Sequence, residues 1–174
     1  MSIRTLCCDT HPILRRPARR IEVFTAALRQ SALDLSDTMR AYHGIGLAAP
    51  QIGQGLQLIV VNVARQPGRD LVMVNPLIES TRGSAAMTEG CLSLPRVWER
   101  IQRAAHIRVV GQTVDGDSMT IEADGLLATA LQHEIDHLHG WLIDHEARAH
   151  MTARPHQRSR SAPSLAPASL VCSS

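Results

Sequence analysis

The sequence contains no lysine: all 18 of its basic residues are arginine. Base composition of the gene accounts for this without any phosphate-binding role. A net charge of +2 at neutral pH is too small to argue for nucleic-acid or membrane-surface binding. Aromatic residues are nearly absent, with two Trp, one Tyr and one Phe, so the core has to be aliphatic. No apolar run approaches the ~20 residues of a membrane span. The Arg-rich start (Arg15, Arg16, Arg19, Arg20) lacks the apolar stretch of a secretory signal, and a cleavable transit peptide is the weaker alternative because patterned sequence starts almost at Met1. The four cysteines, Cys7, Cys8, Cys91 and Cys172, show no disulfide framework, which fits a reducing cytoplasm.

What is present is a chain of 174 residues with 44% hydrophobic content, enough for one globular domain. Residues 22–42 read as an amphipathic helix, with Val23, Ala27, Leu28, Leu35, Met39 and Tyr42 near helical spacing. Leu56 to Val63 and Leu71 to Asn75 read as strands, the second stopped by Pro76. Strands at His106–Gln112 and Ser118–Glu122 are joined by Asp115-Gly116-Asp117, a hairpin signal. A helix follows over about 124–139, with Asp124 as N-cap and Gly140 as stop. This order predicts an α+β fold, mainly antiparallel sheets around a central buried helix, with an N-terminal helix. The Ala/Ser/Pro/Arg-rich stretch 147–174 reads as a disordered tail after a catalytic domain of residues 1–146.

The predicted second helix carries Gln132-His133-Glu134-Ile135-Asp136-His137-Leu138. Histidines four apart sit one above the other on a helix and can bind one metal. Glu134 lies roughly 100° around the helix from His133, beside such a metal rather than on it. Leu126, Thr129 and Ala130 share the histidine face and would line a pocket. H-E-x-x-H also arises by chance, and an ordinary helix with two capped or solvated histidines is the plain alternative. A metal needs at least one further ligand. The protease patterns that supply it downstream fail here, because a third histidine is replaced by Ile143 and the only later glutamate is Glu146.

Two upstream segments offer candidates. Cys91, between Gly90 and Leu92, is a metal ligand, a nucleophile or a small buried hydrophobe. Gly44-Ile45-Gly46-Leu47-Ala48-Ala49-Pro50-Gln51 lacks the Gly-Lys-Ser/Thr ending of a phosphate-binding loop. Its glycines mark an exposed backbone edge or a tight turn, and Gln51 is a surface residue or a donor in a pocket.

Taken together, the three segments resemble peptide deformylases. That family's motifs G-x-G-L-A-A-x-Q, E-G-C-L-S and Q-H-E-x-D-H-L-x-G stand here as Gly44 to Gln51, Glu89 to Ser93 and Gln132 to Gly140, in order and with every fixed position filled. The resemblance spans about Ile3 to Asp144. It implies one divalent metal ion on Cys91, His133 and His137, usually Fe(II), with Zn(II), Ni(II) or Co(II) also suited to the donors. It implies Glu134 as proton carrier, with Gln51 and the Leu92 backbone N–H stabilising the oxyanion. Substrate backbone would run beside Gly44, Ile45 and Gly46 and face Gly90. The methionine side chain would enter a slot of Met87, Leu126, Thr129 and Ala130. The implied partners are N-formylmethionyl peptides and nascent chains, with a transient ribosome contact and neither DNA nor membrane. The segment Gly140-Trp141-Leu142-Ile143-Asp144 and the tail depart from the family, a difference expected to touch stability or docking more than chemistry.

Overall fold

Every residue of the run Leu58–Val61 is buried, which a strand achieves only when both faces of its sheet are covered. Two helices supply the cover. The computed structural model describes residues 2–8 and 10–143. Its helices are α1 (Ala26–Ala41) and α2 (Gly125–Leu138). Its strands are β1 (Gly46–Ala48), β2 (Leu58–Val61), β3 (Leu71–Arg82), β4 (Ala85–Cys91), β5 (Leu94–Arg103), β6 (His106–Gln112) and β7 (Ser118–Asp124). Five strands form one sheet in the order β1-β2-β3-β6-β7, and β4 with β5 forms a separate hairpin. All pairings between these strands are antiparallel. The class is α+β, as the order of elements predicts.

Alternation along β2 sorts the core. Ile59 and Val61 pack with Leu131, Ile135 and Leu138 of α2. Leu58 and Val60 pack with Leu28, Leu35 and Met39 of α1. A third cluster, including Leu14, Cys91, Leu94, Ile101 and Leu142, ties the hairpin to the segments beyond the helix ends. From Ala128 to Leu138 no residue of α2 is exposed, so its polar side chains are buried with its apolar ones. Buried polar groups need partners, and that requirement organises the site.

Several boundaries differ from the sequence expectation. Helix α1 begins at Ala26 rather than 22, because Thr25 takes the N-cap and accepts from the Leu28 N–H at 3.3 Å. Val23, before the cap, is exposed. Pro76 does not stop its strand. The register of β3 on β6 shifts between Val74 and Leu77, so the missing N–H falls where the ladder is already interrupted. Asp124 occupies the N-cap position of α2 but makes no side-chain cap bond. Gly140 ends the helix with φ +78°, and a Cβ there would lie 2.7 Å from the Arg15 backbone. The 147–174 tail and the boundary at residue 146 lie outside the described residues. No helix among the described residues is long and apolar enough to cross a membrane.

Asn75, in the β3 irregularity, has φ 52° and is buried. Its side chain accepts from Ile21 N–H at 2.8 Å and donates to Ile21 O at 2.8 Å and Gln112 Oε1 at 2.9 Å. Asn75→Ala is expected to lower the unfolding free energy by about 3 kcal/mol, from unpaired buried groups plus backbone strain. Asn75→Gly loses the same hydrogen bonds but accepts the positive φ without strain, so it should cost less. Denaturant unfolding of the two variants checks the order.

Candidate active site

The two-residue turn at Leu92–Ser93 closes the β4–β5 hairpin and leaves Cys91 at the end of its strand. Strand alternation puts Met87, Glu89 and Cys91 on one side of β4. Helix α2 presents His133 and His137 to that side, with ring centroids 4.9 Å apart. The ligand atoms of Cys91, His133 and His137 all lie within 4.8 Å of one another, and all three residues are buried. The Cys91 sulfur is 3.3 Å from His137 Nε2.

A carboxylate and a guanidinium set this arrangement. His133 donates from Nδ1 to Glu89 Oε2 at 2.9 Å, which turns Nε2 toward the cysteine. Arg103 of β5, itself buried, donates to Glu89 Oε2 at 2.8 Å and to Asp136 Oδ2 of α2 at 2.8 Å. Burial alone would raise the Glu89 carboxyl, but hydrogen bonds from His133 and Arg103 hold it below the usual range. The Arg103 guanidinium is pushed up despite burial by its bonds to Glu89 and Asp136. For His133, burial opposes the proton, yet hydrogen bonding with Cys91 and Glu89 pushes it well up. Burial and the neighbouring His133 charge push His137 well down. Two imidazoles this close do not share a second charge easily.

Glu134 reaches the same cavity. Burial pushes its carboxyl up to about 7 against the pull of His133, and Glu89 adds to the rise. Among the described residues, Glu134 Oε2 and His137 Nδ1 are buried atoms without a hydrogen-bond partner. A Cβ on Gly46 would come 2.4 Å from Glu134 Oε1, so the glycine of β1 makes the room that the carboxylate fills. Gln51 is pinned by its Oε1, which accepts from Ala48 N–H at 2.8 Å. Its Nε2 then lies 3.2 Å from Ser93 Oγ and 3.7 Å from the Cys91 sulfur.

These groups open into a cavity of about 340 Å³. Gly44, Ile45, Gly46 and Gln51 line one side, and Met87, Gly90, Cys91 and Leu92 another. Leu126, Thr129, Ala130, His133 and Glu134 form the wall from α2. His137 sits behind Cys91, outside the lining. The Thr129 hydroxyl donates to Gly125 O at 3.2 Å and is satisfied within the helix. Trp98 lies against Gly90, where a Cβ would meet its ring at 3.0 Å. Strand β1 is an edge strand, paired only with β2 among the described residues.

Sequence reasoning gave Arg103 and Ser93 no role. Arg103 is one of 18 basic residues and belongs to no motif segment. Its buried position at the end of an otherwise half-exposed strand is the only local signal. The donor set of one thiol and two imidazoles, converging and buried, fits a single transition-metal ion.

Comparison with known proteins agrees with this geometry. The family model for polypeptide deformylase matches residues 3–152. The chain is similar to a peptide deformylase of Syntrophobacter fumaroxidans, 45% identical over 145 residues, covering 82% of this chain and 85% of that protein. It is also similar to the crystal structure of a peptide deformylase from Legionella pneumophila, with a TM-score of 0.80 and 36% identity over 87% of this chain and 92% of the other. The Synechococcus elongatus peptide deformylase in complex with actinonin gives a TM-score of 0.77 at 39% identity, over 80% and 77% of the two chains. The chain belongs to the polypeptide deformylase family, metal-dependent hydrolases that act on formylated peptides.

Proposed function

We propose that this chain removes the formyl group from the N-terminal formylmethionine of newly made polypeptides with Glu134, Gln51 and Leu92 as its catalytic groups. The observation that carries the assignment is Glu134 Oε2, buried and unpartnered one residue from a converging thiol–imidazole cluster. A structural carboxylate in that position would be paired. Cys91, His133 and His137 would hold the metal. When bound, the ion supplies Lewis-acid polarisation and makes water acidic enough to attack near neutral pH. Glu134 takes the water's proton at Oε2 and returns it to the departing amine nitrogen. The Gln51 amide and the Leu92 backbone N–H donate to the oxygen that gains charge as the formyl carbon becomes tetrahedral. Formate leaves, and a free methionine amine remains.

The substrate backbone would add to the open edge of β1 along Gly44, Ile45 and Gly46, as peptides do on exposed sheet edges. Gly90 faces it from the hairpin. The methionine side chain enters between Met87, Leu126, Thr129 and Ala130, a mostly apolar slot because Thr129 has spent its hydroxyl on Gly125. Actinonin in the Synechococcus relative is consistent with a ligand site in the same fold. We assign Fe(II) as the native ion, with Zn(II), Ni(II) and Co(II) acceptable to the same donors. The setting is cytoplasmic, beside nascent chains and in transient contact with the ribosome. Residues 1–146 act as the catalytic domain built on the central α2 helix.

Protein purified without oxygen and loaded with Fe or Ni is expected to release formate from a formyl-Met peptide. Zero turnover would overturn the assignment. Glu134→Gln should keep its metal, measured by elemental analysis, while kcat falls by about 10²–10⁴. Gly46→Ala should also keep its metal, yet lose at least about tenfold in kcat, because the new methyl displaces the Glu134 carboxylate. Cys91→Ser should instead weaken metal retention on dialysis against a chelator. Unchanged retention would remove Cys91 from the ligand set.

A further inference from the structure

Among the described residues, four that are not glycine have positive φ: His43 at 55°, Arg65 at 52°, Asn75 at 52° and Arg96 at 70°. Asn75 is explained by the hydrogen bonds that hold it. The other three all line the catalytic cavity, and all three are exposed. Left-handed backbone at non-glycine residues persists where surrounding structure imposes it, and it clusters at functional sites. The three come from separate parts of the chain. His43 follows α1, and Arg65 follows β2 in a loop where its N–H donates to Asn62 O at 3.1 Å. Arg96 lies in the stretch of β5 left unpaired when the register jumps from Gly90–Trp98 to Cys91–Leu94. Among the described residues, neither Arg65 nor Arg96 is in an ion pair, whereas Arg4, Arg29, Arg40, Arg103 and Arg108 are. The acidic residues lining the cavity, Glu89 and Glu134, are buried deep inside it and cannot fold outward to neutralise the rim.

Given the deformylase reading on which this rests, the formyl end of a substrate goes to the buried groups. The rest of the peptide must then leave across the exposed rim. We propose that Arg65 and Arg96, with His43 as a hydrogen-bonding companion, form a cationic rim that selects a carboxylate on the substrate just downstream of formylmethionine. That carboxylate is an Asp or Glu side chain at the second or third residue, or the C-terminus of a very short peptide. Two guanidiniums on preset backbone present bidentate donors to one carboxylate at modest cost in conformational freedom.

The test is formate release by the metal-loaded protein from C-terminally amidated formyl-Met tripeptides carrying Asp, Asn or Lys at the second or third position. One further peptide carries Asn and a free C-terminal acid. Each exposed pair is modest in strength, so Asp should exceed Asn by about three- to tenfold in kcat/KM, with Lys below Asn. The preference should shrink in about 0.5 M salt, where charges on the rim are screened. The free-acid peptide shows whether a terminal carboxylate is read as well as a side chain. In Arg65→Asn/Arg96→Asn, substitutions that tolerate left-handed backbone, the Asp-to-Asn ratio should fall to about one. Release from every peptide with no preference for a carboxylate of either kind, or an unchanged ratio in the double variant, overturns the rim. No release from any peptide overturns the deformylase reading itself.

Discussion

The site depends on one buried guanidinium. Arg103 joins the hairpin to α2 by binding Glu89 of β4 with one edge and Asp136 of α2 with the other. That bridge adds a charged link between the hairpin that carries the thiol and the helix that carries the two imidazoles. A buried ion pair is weak evidence for net stability, because desolvation offsets much of the attraction. Its value here is geometric. Glu89 carries the constraint onward to His133 Nδ1, so the orientation of one ring follows from a charge on β5. Removing one partner of such a network would leave an uncompensated charge inside, which typically costs about 3–5 kcal/mol.

Helix α2 tolerates burial all round because its two sides solve different problems. Leu131, Ile135 and Leu138 meet the sheet, where area and packing are sufficient. The opposite side is polar and each group there is tied to something specific. Gln132 bonds Ala104 at both N–H and C=O, Asp136 takes Arg103, and His133 takes Glu89. Glu134 and His137 are the exceptions, each with a bare atom. In a helix whose other buried polar side chains are paired, these two bare atoms a turn apart stand out.

Much of this could be read from the sequence because it is local. Histidines at 133 and 137 share a face by helical geometry alone, and the Asp115–Asp117 turn announces its hairpin. Nonlocal partners could not be read in this way. Gly46 looked like a backbone edge, and β1 is one, but the Glu134 carboxylate that fills the space a side chain there would need comes from a residue far along the chain. Arg103 is invisible for the same reason: only the folded hairpin brings it between Glu89 and Asp136. Pro76 misled because a strand that bends can accept a residue that a straight one rejects. The polar rim was missed because positive φ at Arg65 and Arg96 is imposed by loop and bulge rather than announced by glycine.

The close fit of Gly140 against Arg15 has a consequence for synthesis. Ala18 donates to Leu138 O at 2.8 Å in the same place, so the early segment of the chain docks on the end of the last described helix. The early segment therefore emerges from the ribosome long before its partner exists. Until then, Leu14 and Ala18 have no core to enter, and Cys91, His133 and His137 are divided between chain already outside and chain still to be made. Contacts of such long sequence separation slow folding. The candidate metal cluster is thus a late product of translation, completed only when the early segment closes on the end of α2.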